Sequence, residues 1–267
     1  MPTVRKTARV VGVAAACAVA AGALYGTGAA SADRPTAHTT AEPQNIGLLK
    51  KQIESYYGAH KDADGTWRAS ADSAYADDLA RIEAGAKKDI DKAARKARHH
   101  GEKPAVVFDI DDTLLLSLDY EISHNYGYDS ASWGAYVAKA DRPAVFGTPD
   151  LVRYAAAKGV EVFYNSGLSE DQRSAAMENL KKIGVDVNLD ADHVFLKDKA
   201  DPPAYLSDCA TAAAWNCTTV QYKAGTRKHI ESLGYDIVGD FGDQYTDLQG
   251  GYADKTYKLP NPTYYVG

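Results

Sequence analysis

The sequence predicts an α/β protein whose parallel sheet is covered by helices on both faces, three layers in all. Three observations carry that prediction. Short apolar runs rich in β-branched residues recur after Pro104. Longer amphipathic segments lie between them. Glycine, proline and polar clusters separate the two kinds of segment. Strand alternating with helix is the pattern of a parallel sheet, and near-continuous apolar strands are those buried on both faces.

In chain order, Arg5, Lys6 and Arg9 precede an apolar stretch from Val10 to about Gly28, followed by small residues at Ala30 and Ala32. This is the build of a secretory signal, residues 1–32, cleaved after Ala32. An uncleaved membrane anchor is the alternative, but the stretch is rich in Ala and Gly and only weakly hydrophobic. Residues 33–45 are polar and proline-containing and read as a flexible leader. The remaining 46–267 read as one domain. It starts with two N-terminal helices. Ile46 to His60 places Ile46, Leu49, Ile53 and the pair Tyr56 and Tyr57 on one side; Ser70 to His99 does the same with Tyr75, Leu79, Ile82 and Ile90. Strands follow at "AVVFDI" (105–110), "VEVFYNS" (160–166), "HVFLK" (193–197) and "YDIVGD" (235–240), with an edge strand at 255–259. Helices are expected over 148–158, 169–183 and 223–232.

Charge and cysteines limit the partners. Removing residues 1–32 takes away three positive charges and no acid, so the formal charge of −6 becomes −9. No basic stripe remains for a nucleic-acid polymer. No second long apolar span follows, so no stable membrane insertion is expected after processing. Cys209 and Cys217 lie eight apart in a chain bound for oxidising surroundings, which favours a disulfide. As a metal site they would supply too few ligands.

In open α/β sheets, ligands bind beyond the carboxyl ends of the strands. Here those ends carry Asp109, Asp111, Asp112 and Thr113; Asn165, Ser166 and Gly167; and Asp240 followed by Asp243 and Asp247. Lys223 opens the helix before the fourth strand. Clustered carboxylates repel one another unless a cation sits among them, and Mg²⁺ takes oxygen ligands. A calcium loop of the EF-hand kind is excluded by Leu114 at the sixth position and Tyr120 at the twelfth. Singly, Ser166 is an ordinary turn residue and Lys223 an ordinary surface lysine; together with the acids they converge on one crevice.

The four elements "VVFDIDDTLL", "VFYNSG", Lys223 and "GDQYTDL", in that order, resemble the haloacid dehalogenase (HAD) superfamily of phosphohydrolases, over roughly 100–267. Within it, "YKAGTRKHIESLGYDIVGDFGDQYTDLQGG" and "YKLPNPTYYVG" resemble the acid phosphatase branch of class B-like bacterial secreted phosphatases and plant vegetative storage proteins. The resemblance implies a Rossmann-like sheet with a small helical cover. It implies that Asp109 attacks phosphorus and that Asp111 protonates the leaving oxygen and then activates water. Mg²⁺ would be held by Asp109, the backbone carbonyl of Asp111, and Asp243, with Asp247 orienting a bound water or Lys223. Lys223, Ser166 and backbone N–H groups near Gly167 would stabilise the transferring phosphoryl group. The branch often has Thr-Gly-Arg where this chain has Ser166-Gly167-Leu168; the hydroxyl is kept and the arginine is not.

The implied function is a secreted Mg²⁺-dependent acid phosphatase acting on small phosphomonoesters. Two rivals share the fold: a non-catalytic storage or binding protein, against which the intact Asp109 argues, and a phosphotransferase using the same residues. Between the first two strands lie Tyr120, Tyr126, Tyr128, Trp133 and Tyr136. These rings either line the crevice or pack the cover.

Overall fold

The computed structural model describes residues 42–267. The expected signal, residues 1–32, and most of the leader lie outside the described residues. Five parallel strands build the central sheet: β1 (Pro104–Phe108), β2 (Glu161–Ser169), β3 (Val194–Lys197), β4 (Asp236–Gly242) and β5 (Thr256–Lys258). Their spatial order is β3-β2-β1-β4-β5. Every residue of β1 is buried, as its central position requires. The strand order switches sides at β1, with β2 on one side and β4 on the other, and the carboxyl ends of these three parallel strands open one crevice.

Among the described residues, eight helices accompany the sheet: α1 (Ile46–Tyr57), α2 (Ala74–His100), α3 (Leu118–Ser123), α4 (Ser130–Ala138), α5 (Thr148–Ala157), α6 (Arg173–Lys182), α7 (Thr219–Ser232) and α8 (Tyr245–Leu248). Tyr75, Leu79, Ala86, Ile90 and Ala94 form the buried stripe of α2. On the sheet side it faces Val106, Phe108 and Phe241 in the main core. Phe108, Phe241 and Tyr257 stack across β1, β4 and β5, with ring centroids 4.5 and 4.4 Å apart. The short helices α3 and α4 form the small cover over the crevice.

The helix ends fall where capping chemistry puts them. The first helix stops at Tyr57, short of His60, because Gly58 turns left-handed (φ 58°). The second starts at Ala74 rather than Ser70, because the Ser73 hydroxyl accepts from the Ala76 N–H. The segment expected as one helix over 169–183 begins as strand, continues as a 3-10 turn (Glu170–Gln172) and becomes α6 only at Arg173. A Thr218–Gln221 capping box starts α7 at Thr219, so Lys223 sits one turn inside the helix rather than opening it. Strand β4 runs to Gly242, two residues past Asp240. Asp240 therefore lies within the strand, buried against Arg227 Nη1 at 2.8 Å, instead of at its tip.

Two further two-residue ladders, His60–Lys61 with Trp67–Arg68 and Ala210–Thr211 with Ala214–Trp215, were not expected from periodicity. The second is closed by the Cys209–Cys217 disulfide. Among the described residues, no helix is long and apolar enough to cross a membrane.

Candidate active site

The first strand leads straight into the acidic turn. Ile110 goes into the core while Asp109 and Asp111 on either side face the crevice. Asp112 takes a left-handed conformation (φ 51°), which an aspartate tolerates better than most residues. Its carboxylate turns away from the crevice: Oδ1 accepts from the Ser117 N–H at 2.8 Å and Oδ2 from the Tyr264 hydroxyl at 3.0 Å. The third acid of the motif is thus a clamp between the loop and the C-terminal segment. Burial pushes its carboxyl up to about 7.

Lys223 is buried beneath the crevice. Its Nζ donates to Asp109 Oδ1 at 2.5 Å and to the Asn165 carbonyl, and lies 3.0 Å from Asp247 Oδ1. The Asn165 side chain returns a hydrogen bond to the Lys223 carbonyl at 3.0 Å, so β2 and α7 are tied twice. Burial pulls the ammonium down, but Asp109 and Asp247 together carry it above the ordinary lysine range. For Asp109, burial is the largest influence and pushes the carboxyl up; Lys223 opposes it, while Asp247, Asp243 and Asp111 reinforce it. The lysine ammonium has only three hydrogens, and its three protein partners occupy them.

The Asp111 carboxylate faces a different set of partners. Arg142 pairs with Oδ1 from beneath the cover, and the Ser166 hydroxyl lies 3.3 Å from Oδ2. The Leu168 N–H donates to Ser166 Oγ at 3.1 Å, which fixes that hydroxyl. Leu168 itself is buried. Arg142 was not singled out from the sequence, yet it is a built feature. Asn179 accepts from its backbone N–H at 2.9 Å and donates to its carbonyl at 2.8 Å. The guanidinium lies over Trp133, 5.5 Å from the ring centre, and its Nε and Nη2 have no hydrogen-bond partner among the described residues.

Asp109, Asp243 and Asp247 each present a carboxylate oxygen within 4.8 Å of one another, all three buried. Asp243 Oδ2 accepts from Gln244 Nε2 at 2.7 Å and from Asn261 Nδ2 at 2.6 Å. Burial, then Asp247 and Asp112, push its carboxyl up to about 7. The lysine that pairs with Asp109 and Asp247 forms no ion pair with Asp243. An all-oxygen, buried and under-neutralised donor set fits a hard divalent cation. Asp247 stands beside Lys223 and also within the carboxylate cluster, a ligand position that the resemblance did not give it. The side chain of Asp111 stays out of that cluster, leaving its main-chain carbonyl as the ligand the resemblance implies.

Close approach makes this cluster possible. A Cβ on Gly242 would stand 2.5 Å from that of Asp247, so only glycine lets α8 fold back onto the strand end. Arg227, fully buried, holds the same turn by donating to the carbonyls of Asp247, Gln249 and Gly251. The C-terminal segment forms one wall: Val266 N–H donates to Gln244 Oε1 at 3.1 Å, and Tyr264 and Tyr265 line the crevice.

The crevice has a volume of about 750 Å³. The aromatic segment divides between the two expected roles. Tyr120 and Tyr136 pack inside the cover, with ring centres 5.3 Å apart, while Tyr126, Tyr128 and Trp133 line the crevice. Glu121 is a buried acid on the same wall, and burial pushes it up to about 7. Gly167 lines the crevice beside Lys197.

Residues 61–267 match the family model for the HAD superfamily, subfamily IIIB (acid phosphatase). The chain belongs to this family. Among its relatives, a stem 28 kDa glycoprotein of Glycine max is 34% identical over 61% of each chain. Acid phosphatase 1 of Solanum lycopersicum is 29% identical over 68% of this chain and 70% of its own. Vegetative storage protein 1 of Arabidopsis thaliana is 32% identical over 60% of this chain and 54% of its own. The chain thus spans about half to two-thirds of the length of these relatives. The class C acid phosphatase from Bacillus anthracis superposes with a TM-score of 0.57 at 21% identity, over 82% of this chain and 86% of that one, so the HAD fold is common to both.

Proposed function

We propose that this HAD-family chain is an Mg²⁺-dependent phosphomonoesterase that works through a phosphorylated Asp109. One observation carries the proposal. Asp109 and Asp111 leave the same strand end toward one crevice, yet have separate partners: Asp109 is paired with Lys223, and Asp111 with Arg142 and Ser166. One carboxylate is thereby set up as nucleophile and the other as acid and base.

Asp109 attacks phosphorus, and the bond to the alcohol oxygen breaks in line with the attack. Asp111 passes a proton taken from the incoming ester monoanion to the departing oxygen, then takes one from the water that cleaves the acyl-phosphate. Lys223 offsets the charge of Asp109 and Asp247, and the Ser166 hydroxyl and neighbouring backbone N–H groups face the phosphoryl oxygens. Asp109, Asp243 and Asp247, with the Asp111 carbonyl, would hold Mg²⁺, which would supply positive charge to offset the negative charge of the transferring group. The relatives named as storage proteins share the fold; the intact Asp109–Lys223 pair supports turnover in this chain. The basic, apolar and small-residue order of residues 1–32 supports export to the outside of the cell, with 46–267 as the phosphatase domain.

A panel of phosphate esters assayed with and without chelator tests the reading. Activity is expected to vanish in EDTA and return with Mg²⁺. With p-nitrophenyl phosphate, Asp111→Asn is expected to accumulate covalent phosphate on Asp109, because the phenolate leaves without a proton while water still needs a base. Asp109→Asn accumulates none. Phosphate mapped to Ser166 or to a histidine, or full activity in chelator, sinks the proposal.

A further inference from the structure

Three lysines line the crevice: Lys197, Lys199 and Lys223. The ammonium of Lys223 is engaged by Asp109, Asn165 and Asp247, as described. The other two form no ion pair and donate no hydrogen bond among the described residues. Lys197 is the last residue of β3, in register with Ser169 of β2. Its Nζ stands 3.7 Å from where a Cβ on Gly167 would lie, so it flanks the glycine that follows Ser166. The ammonium rests over the Tyr222 ring, 5.6 Å from its centre. Lys199 is exposed and continues the positive edge outward. The acid between them does not neutralise them: Asp198 Oδ1 accepts from its own loop, from the N–H groups of Ala200 and Asp201.

A half-buried cation beside two like charges, with no carboxylate in contact, is unfavourable unless an anion visits it. Burial, then Lys223 and Lys199, pull the Lys197 ammonium down, against a smaller opposing influence of Asp109 and Asp247. Position along the sheet indicates which anion. The nucleophile leaves β1, and Lys197 ends β3, two strands away. Adjacent strands are spaced about 4.8 Å apart, so its backbone is displaced by about 10 Å from the strand where phosphorus is attacked. Lys197 therefore flanks the phosphoryl position across Gly167 from the carboxylate cluster, and an alcohol portion that leaves the phosphoryl group on that side would meet it.

We propose that Lys197, with Lys199 beyond it, forms an anion-binding position for a second negative group on the alcohol portion, so that the favoured substrates are phosphomonoesters of acidic alcohols. The inference rests on the phosphomonoesterase reading and deepens it. A carboxylate and a second phosphate offer the same chemistry here, and separate probes distinguish them.

Non-hydrolysable phosphonates test the position without turnover. Calorimetric titration of the Mg²⁺-loaded protein compares propylphosphonate, 3-phosphonopropionate and propane-1,3-bisphosphonate. The acid-tailed probes are expected to bind about tenfold more tightly than the neutral one, the worth of one added favourable charge contact of about 1.4 kcal/mol. The carboxylate and bisphosphonate arms show which group is preferred. In Lys197→Met, which keeps the apolar stem, that ratio should fall close to one; in Lys197→Arg it should persist. Equal binding of neutral and acid-tailed probes by the wild type, no binding of any probe, or an equal loss for all probes in Lys197→Met, which would put the lysine on the phosphoryl group, overturns the proposal. Retained probe preference with no ester hydrolysis overturns the phosphatase reading and leaves the anion position standing.

Discussion

Asp243→Asn separates the cost of the acidic cluster from its use. In the metal-free protein the Asp243 carboxyl is pushed from 3.8 to about 7, mainly by burial. A carboxyl raised on folding holds its proton in the native state after the unfolded chain has released it. The stability from this group is thus fully present below pH 4 and is lost as pH rises through 7. Three pH units at ~1.4 kcal/mol each give about 4 kcal/mol lost between pH 4 and 8. Asparagine cannot lose that proton, and its Oδ1 still accepts from Gln244 and Asn261. It also relieves Asp109, for which Asp243 counts among the raising influences. Urea denaturation in EDTA, stepped from pH 4 to pH 8, should show wild type losing about 4 kcal/mol relative to the variant. Saturating Mg²⁺ at pH 8 should restore wild type and help the variant far less, since metal bound only to the native state stabilises it by mass action. Parallel pH curves for the two proteins, or equal stabilisation of both by Mg²⁺, would refute the reasoning.

Three further outcomes follow from particular contacts. Arg142→Met leaves the Asp111 carboxylate without its cation; partial exposure of Asp111 puts the stability loss near the lower end of ~3–5 kcal/mol. If the arginine orients the acid, kcat should fall more for alkyl esters than for p-nitrophenyl phosphate, and equal losses on both would leave it only structural. Replacing Cys209 and Cys217 by serine releases a loop of eight residues and should cost ~2–3 kcal/mol by chain entropy, read by urea denaturation; alkylation of both thiols in unreduced protein would contradict the bridge. Asp111→Asn should lower turnover of alkyl esters by about 10²–10⁴-fold, the usual worth of general acid–base catalysis, in steady-state assays; a loss below tenfold would remove Asp111 from that role.

The sheet and most of the polar groups at its edge can be read from the order of residues alone. Apolar β-branched runs have no stable place except a buried strand, so "AVVFDI" could be placed with its acids at the carboxyl end. Asp109, Asp111, Ser166, Lys223, Asp243 and Asp247 were legible because their order and spacing repeat a known motif set. Helix boundaries were less legible: Ser73 and the Thr218–Gln221 box fix two starts through single hydrogen bonds that apolar periodicity does not register. Partner choice belonged to the tertiary structure alone. Nothing in "DIDDT" says that Asp112 turns toward Tyr264, 152 residues away, while Asp111 meets Arg142 from the cover. Arg142 and Arg227 look like ordinary surface charges in the sequence, and Lys197 like the last residue of a strand. Their roles depend on which carbonyls, carboxylates and empty space lie beside them after the strands align. Those neighbours come from distant segments, and the strength of a buried charge interaction is set by such neighbours and by the exclusion of water, which no local stretch of chain encodes.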